Sequence, residues 1–191
     1  MAINDDLIWR RVRSTQGPDL KLFQARFDDM EHPESGEVMS RIVLESVDWV
    51  NMVALTEDRE SVMVRQYRFG VSYPTLETPG GMVDEGEDSL MAARRELAEE
   101  TGYGGGRWTY LGAVEPNPAF HDHLCHHWLA EGVVLTGSQE TGSGEQIQVE
   151  LLDEAQLKSA VVGGEIKHAL ALSCISRVFD CWPRPFRHQF R

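Results

Sequence analysis

Gly81 to Tyr103 reads G-M-V-D-E-G-E-D-S-L-M-A-A-R-R-E-L-A-E-E-T-G-Y. Five residues separate Gly81 from Glu87, and seven more precede the block Arg95-Glu96-Leu97-Ala98-Glu99-Glu100-Thr101-Gly102. Asp88 or Ser89 suits the start of a helix, because a short polar side chain accepts from the first free amides. Gly102 suits its stop, because glycine adopts the left-handed turn that ends a helix. Inside that helix Glu96, Glu99 and Glu100 stand at i, i+3 and i+4 and share a face. Three neighbouring carboxylates repel one another. A hard divalent cation with oxygen ligands resolves the repulsion, Mg²⁺ being the ordinary choice. Met91, Ala92 and Leu97 are expected to pack on a sheet from the opposite face, and Arg95 to hold Glu87 or Glu99 in place. A solvated acidic face is the plain alternative for any Glu-rich helix. Two glycines, four glutamates and an arginine at fixed offsets argue against it.

This run resembles the Nudix box, G-x5-E-x7-R-E-U-x-E-E-x-G-U, where U is a bulky aliphatic residue. Every glycine and charged position matches. Tyr103 departs from the aliphatic residue usual there, at what should be a packing position. The resemblance implies an α/β fold, the Nudix-type α/β/α sandwich with a mixed sheet. It implies Mg²⁺ as cofactor, with Mn²⁺ as a substitute, and hydrolysis of a diphosphate linked to a second group. It also implies Glu96, Glu99, Glu100 and the Gly80 carbonyl as metal ligands. Glu99, Arg95 and Glu87 are then expected to serve the chemistry directly.

Flanking segments narrow the resemblance to the branch that hydrolyses ADP-ribose and other nucleoside diphosphate sugars. They are Arg65-Gln66-Tyr67-Arg68, Leu76-Glu77-Thr78-Pro79-Gly80-Gly81, Pro118, and Glu165-Ile166-Lys167-His168-Ala169-Leu170. Together they extend the likeness over about residues 48–179. Guanidinium matches phosphate oxygens bidentately, so Arg65 or Arg68 is expected to bind substrate. Their offset of three places them on opposite strand faces, so only one should point into the site. Glu77 is expected to accept ribose hydroxyls, the alternative being a plain surface carboxylate. Pro118 marks the branch rather than a contact. In this branch the general base often comes from the loop before the last strand. Here that loop is Gly137-Ser-Gln-Glu140-Thr-Gly-Ser-Gly-Glu145, with Glu145 the first candidate and Glu140 the second. Products would be a nucleoside monophosphate and a sugar phosphate.

The chain has 191 residues, a net charge of −13 and three cysteines. The acidity disfavours a surface for long nucleic acids and suits a small anionic substrate held through metal. An odd, widely spaced cysteine count argues against a disulfide framework and for a reducing compartment. Met1-Ala-Ile-Asn-Asp-Asp-Leu-Ile-Trp-Arg-Arg11 has no apolar core of signal-peptide length, and no apolar run approaches a membrane span. The expectation is a soluble, cytoplasmic protein that binds neither membrane nor nucleic acid.

Organisation follows from punctuation. Leu7–Ser14, Leu20–Phe27 and Val38–Leu44 read as short strands, separated by turn material at Gly17-Pro18 and Pro33–Gly36. Residues 1–46 are thus expected to form a small N-terminal β-strand subdomain and residues 47–191 the hydrolase domain. Strands are expected at Val50–Leu55, Ser61–Tyr67, Trp108–Val114, Cys125–Val134 and Ile147–Leu152. Helices are expected from an Asp153 cap through Val161 and over Ile166–Phe179. Three strands are marginal alone, so the first unit needs a surface to cover it. Relatives that resemble this chain use such a unit to form a homodimer, with aromatics lent to the neighbour's nucleotide site. Trp9, Phe23 and Phe27 are the candidates.

The run His121-Asp122-His123-Leu124-Cys125-His126-His127 contains zinc-ligand residue types. Strand alternation places His123, Cys125 and His127 on one face and Asp122, His126 and Trp128 on the other, and no second ligand pair stands at zinc spacing. A substrate-facing histidine is the expectation that remains. Dinucleoside polyphosphates, nucleoside triphosphates and NADH stay open as other substrate classes, as does a silent nucleotide-binding regulator. A binder has no need of three repelling carboxylates, and the segment after the box lacks an S-Q-P-W-P-F-P-like array.

Overall fold

The computed structural model describes residues 5–140 and 146–182. These divide into two units, residues 1–47 with 115–124, and residues 48–114 with 125–191. The N-terminal unit expected over 1–46 therefore also takes in a later excursion of the chain.

In that unit β1 (Arg10–Asp19), β2 (Gln24–Glu31) and β3 (Val38–Glu45) form an antiparallel meander. Gly17-Pro18 lies inside β1, not in a turn. An edge strand tolerates proline, and the register slips between Gln16 and Asp19 to absorb it. The excursion is tied in by the Leu44 N–H to the Phe120 carbonyl (2.7 Å), and Phe23 stacks on His121 at 5.1 Å between centroids. Trp9 packs edge-on against His32 and lies under Arg41. Phe27 is thus the most exposed of the three candidate aromatics.

The second unit begins with β4 (Trp49–Thr56), β5 (Ser61–Arg68), β6 (Tyr73–Glu77) and β7 (Gly80–Met82), followed by α1 (Ser89–Thr101). Then come β8 (Tyr103–Val114), β9 (Cys125–Leu135), β10 (Ile147–Leu152), α2 (Glu154–Val162) and α3 (Ala169–Ile175). Its sheet runs β10-β5-β4-β9-β8, with β4 parallel to β9 and the other pairs antiparallel. Alternation along β4 sends Val50, Met52 and Ala54 to α1, and Val53 and Leu55 to α2 and α3. A three-layer α/β/α arrangement follows. The thiols of Cys125, Cys174 and Cys181 are free and buried, and no described helix is long and apolar enough to cross a membrane.

One feature of the sheet makes room for a site. β4 and β5 pair only at Leu55 and Ser61 and then part. Past that point β6 takes the free edge of β5, and β7 takes the free edge of β4. Polar side chains gather beside the fork, with Asn51, Thr75, Glu77, Thr78 and His127 all buried. Two expectations need correction here. The last helix is Ala169–Ile175, not Ile166–Phe179, because Ile166 packs into the core ahead of a turn that ends at the His168 cap. Met91 is exposed, and Ala93 takes the buried place beside Ala92 and Leu97.

Candidate active site

The box helix is fixed at both ends as its sequence dictates. Asp88 accepts from the amides of Leu90 and Met91, each at 2.9 Å. Gly102 closes the helix at φ 74°, with its N–H on the Ala98 carbonyl at 2.8 Å. The Asp88 cap contributes about 1 kcal/mol. Leu97 and the two alanines anchor one face on the sheet, so the other face has a set direction.

That face carries Glu96, Glu99 and Glu100, and Glu87 joins them from the turn just before the helix, all organised around Arg95 and the backbone of Gly80. Its guanidinium donates to both oxygens of Glu87 (3.2 and 2.9 Å), to Glu96 (2.8 Å), to Glu99 (3.2 Å) and to the Met82 carbonyl (2.9 Å). The Arg95 bond holds the Glu87 carboxyl below its usual range, against the upward push of burial. Glu100 is buried and accepts from the Gly80 N–H at 3.0 Å. Gly81 faces Glu96, where an added Cβ would fall inside the carboxylate. Glycine at 81 thus lets the strand backbone approach Glu96 closely without displacing its carboxylate.

Among the described residues no three His, Cys, Asp or Glu side chains converge as a finished metal cage. Glu96 and Glu99 are drawn to Arg95, and Glu100 to the β7 backbone. The donor set is nonetheless that of a hard cation. Three carboxylates line one helix edge, and the side-chain-free Gly80 and Gly81 of β7 stand against Glu100 and Glu96. By that chemistry the residues fit Mg²⁺.

A cleft of about 340 Å³ opens beside this edge, lined by Arg95, Glu99, Gly102, Thr136, Ser138 and Glu140 among others. The loop after β9 forms its far wall by satisfying the last carbonyls of α1. The Glu140 N–H donates to Glu99 (2.9 Å), the Gln139 amide to Glu100 (2.6 Å) and the Thr136 N–H to Gly102 (2.9 Å). Helix ends leave such carbonyls free, and the loop binds them. Glu140 thus shares a cleft with Glu99, whereas Glu145 lies outside the described residues.

The expected substrate residues are distributed differently. Arg65 is held by Glu150 (2.5 Å) and Glu165 (2.7 Å). Arg68 grips Glu77 bidentately at 2.8 and 2.7 Å, and Thr75 donates to the same carboxylate. Glu77 is fully buried, so it is no surface carboxylate. Burial pushes its carboxyl up, and the Arg68 bond chiefly brings it below the usual range. Pro118 is exposed in the N-terminal unit.

The histidine run divides. His121 and His123 belong to the N-terminal unit, stacked on each other at 5.1 Å. His126 bridges the Tyr110 hydroxyl (2.9 Å) and Asp48 (3.1 Å). His127 is buried with Nε2 3.1 Å from the Ser173 hydroxyl, and burial first, then the charges of Arg177 and His126, lower its pKa to about 4. No metal-ligand group includes any of them among the described residues. Asn51 and His168 went unread in the sequence. A polar residue inside the apolar run Val50-Asn51-Met52-Val53 was the available signal for the first. His168 stood within the branch-like segment Glu165–Leu170, but its place 3.8 Å from Glu77 depends on the tertiary fold.

Residues 47–170, well over half of the chain, match the NUDIX domain. The chain belongs to the Nudix family of hydrolases. Over 130 residues it is 32% identical to an ADP-ribose pyrophosphatase of Bacillus subtilis, covering 68% of this chain and 70% of that one. An ADP-ribose pyrophosphatase of Mycobacterium tuberculosis is 30% identical over 159 residues, 82% of this chain and 76% of its own. A methanol dehydrogenase activator of Bacillus methanolicus is 33% identical over 113 residues, and this chain spans only 60% of its length. The fold matches that of a solved ADP compounds hydrolase with a TM-score of 0.78 at 20% identity, covering 89% of this chain and 91% of that one.

Proposed function

We propose that this Nudix hydrolase cleaves the diphosphate bond of a nucleoside diphosphate sugar, ADP-ribose first, in a Mg²⁺-dependent reaction. The observation that carries the reading is the edge of α1. There Arg95 gathers Glu87, Glu96 and Glu99, and Glu100 meets Gly80, beside a cleft that also holds Glu140. The two ADP-ribose pyrophosphatase relatives support the substrate class.

Glu96, Glu99, Glu100 and the Gly80 carbonyl would hold the metal. A Mg²⁺ held there would neutralise diphosphate charge and make a nearby water easier to deprotonate. Glu140 takes a proton from the attacking water, with Glu145 the other candidate on the same loop. The water oxygen forms a new bond to one phosphorus, and the bond from that phosphorus to the bridging oxygen breaks. One side leaves as nucleoside monophosphate and the other as sugar phosphate. Arg95 supplies positive charge beside the departing phosphate and keeps Glu96 and Glu99 from swinging away. Whichever of Arg65 and Arg68 faces the site reaches substrate by exchanging a carboxylate partner for phosphate or hydroxyl oxygens, acceptors of similar geometry.

A panel of ADP-ribose, other nucleoside diphosphate sugars, dinucleoside polyphosphates, nucleoside triphosphates and NADH tests this, with and without Mg²⁺. AMP and ribose 5-phosphate should appear from ADP-ribose only with metal. Faster turnover of a triphosphate or a dinucleoside polyphosphate would overturn the substrate class.

A further inference from the structure

Asn51 stands in β4 with apolar neighbours Val50, Met52 and Val53, yet it is buried at 6% exposure. A buried amide is costly unless its hydrogen bonds are met. Here they are met by the segment that leads into β7. The Asn51 Nδ2 donates to the Pro79 carbonyl at 3.2 Å and lies 3.5 Å from that of Thr78, while its Oδ1 accepts from the Cys125 thiol at 3.5 Å. The backbone adds a second donor to Pro79, from the Met52 N–H at 3.1 Å.

The segment needs such help. β7 has three residues, and Pro79 has no N–H to contribute to a ladder. Gly80 is shaped to the amide, since an added Cβ there would overlap the Asn51 side chain and the Val50 carbonyl. From this position the Gly80 N–H reaches Glu100 at 3.0 Å. An unbroken chain of contacts thus runs from Cys125 in β9 through Asn51 in β4 to Pro79 and Gly80, and on to Glu100 in α1.

We propose that Asn51 is a positioning residue for the metal site. Its amide fixes the Thr78–Gly80 backbone and so sets where Gly80 stands against Glu100. The inference rests on the reading of Gly80, Glu96, Glu99 and Glu100 as metal ligands. A fully apolar strand would hold the sheet at least as well, so the amide is explained by the alignment it imposes.

Mn²⁺ binding to the full chain, followed by the electron paramagnetic resonance signal of free Mn²⁺, tests the role without relying on turnover. Asn51→Ala should weaken Mn²⁺ binding by about tenfold or more, the usual effect of removing a group that orients a ligand. The Mg²⁺ concentration for half-maximal hydrolysis should rise in step, with kcat at saturating metal little changed. Asn51→Val removes the same donor and acceptor but keeps a strand-forming side chain, and it decides the matter should the alanine variant not fold. Val53→Ala loosens the other face of the same strand and should keep wild-type Mn²⁺ affinity. Folded Asn51 variants that bind Mn²⁺ like the wild type would overturn the proposal. So would an equal loss in Val53→Ala, which would assign the effect to general loosening. A wild-type chain that binds no Mn²⁺ would instead remove the metal-site reading itself, and this inference with it.

Discussion

At the scale of single residues, Arg95 explains why four glutamates tolerate one another. It donates to three of them, and the fourth, Glu100, is satisfied by the backbone of Gly80. The glutamates therefore divide by role, and substitutions should separate them. Glu100→Gln and Glu99→Gln should each lower kcat on the order of 10³-fold, the effect of losing one electrostatic catalytic group, and should weaken Mn²⁺ binding as well. Glu140→Gln should lower kcat by roughly 10²–10⁴-fold, the range for a general base, with Mn²⁺ affinity intact. Steady-state kinetics beside metal titrations give both readouts. Wild-type turnover in both box variants would end the assignment of the box, and wild-type turnover in Glu140→Gln would move the base elsewhere on the loop.

At the scale of elements, local signals survived where the chain itself supplies every partner. Asp88 and Gly102 bound the box helix, Asp153 caps α2, and β10 spans Ile147–Leu152, all as the residues indicate. Gly17-Pro18 misled because an edge strand forgives what a central strand does not. The fork between β4 and β5, the Arg68–Glu77 clamp and the loop docked on the end of α1 join residues distant in sequence. No spacing rule announces them. The buried His127 of β9, set against Ser173 of α3, is another such feature, and it gives stability a pH dependence. Its pKa is about 4 in the fold, against about 6.5 for a free histidine. The unfolded chain thus binds the proton first. The stability from keeping His127 neutral is complete above pH 6.5 and is lost as pH falls toward 4, in total about 3 kcal/mol. Glu77, also held low, adds a further loss that sets in at the ordinary glutamate range and grows below it. Urea unfolding across pH 4 to 7 should therefore show a shallower slope in His127→Gln, which keeps a polar side chain able to hydrogen-bond Ser173, than in the wild type. Identical slopes would show that His127 takes up its proton without unfolding anything.

At the scale of the whole molecule, the N-terminal unit leaves a question of coverage. Its three strands and their approaches expose Leu7, Ile8, Val12, Leu20, Leu22, Phe27, Val38 and Ile42. Phe27 and Ile42 sit opposite each other in the β2–β3 register, so they form one patch on one sheet face. Three-stranded sheets are marginal alone, and clustered apolar surface of this kind marks an interface. A second copy of the same chain is the commonest occupant, through a two-fold axis that sets the patch against itself. We propose a homodimer built on this unit. Removal of the first 47 residues would be a poor test, because residues 115–124 belong to the same unit and would remain. Paired charges are cleaner. Phe27→Glu with Ile42→Glu places like charges at the axis while leaving the β2–β3 backbone pairing unchanged. Light scattering at micromolar concentration should report twice the chain mass for the wild type and the single chain mass for the double variant. If aromatics of the unit also serve the neighbouring copy's nucleotide site, the monomeric variant should show a raised KM for ADP-ribose. A wild-type chain that is monomeric and fully active at that concentration would exclude both the dimer and the shared site.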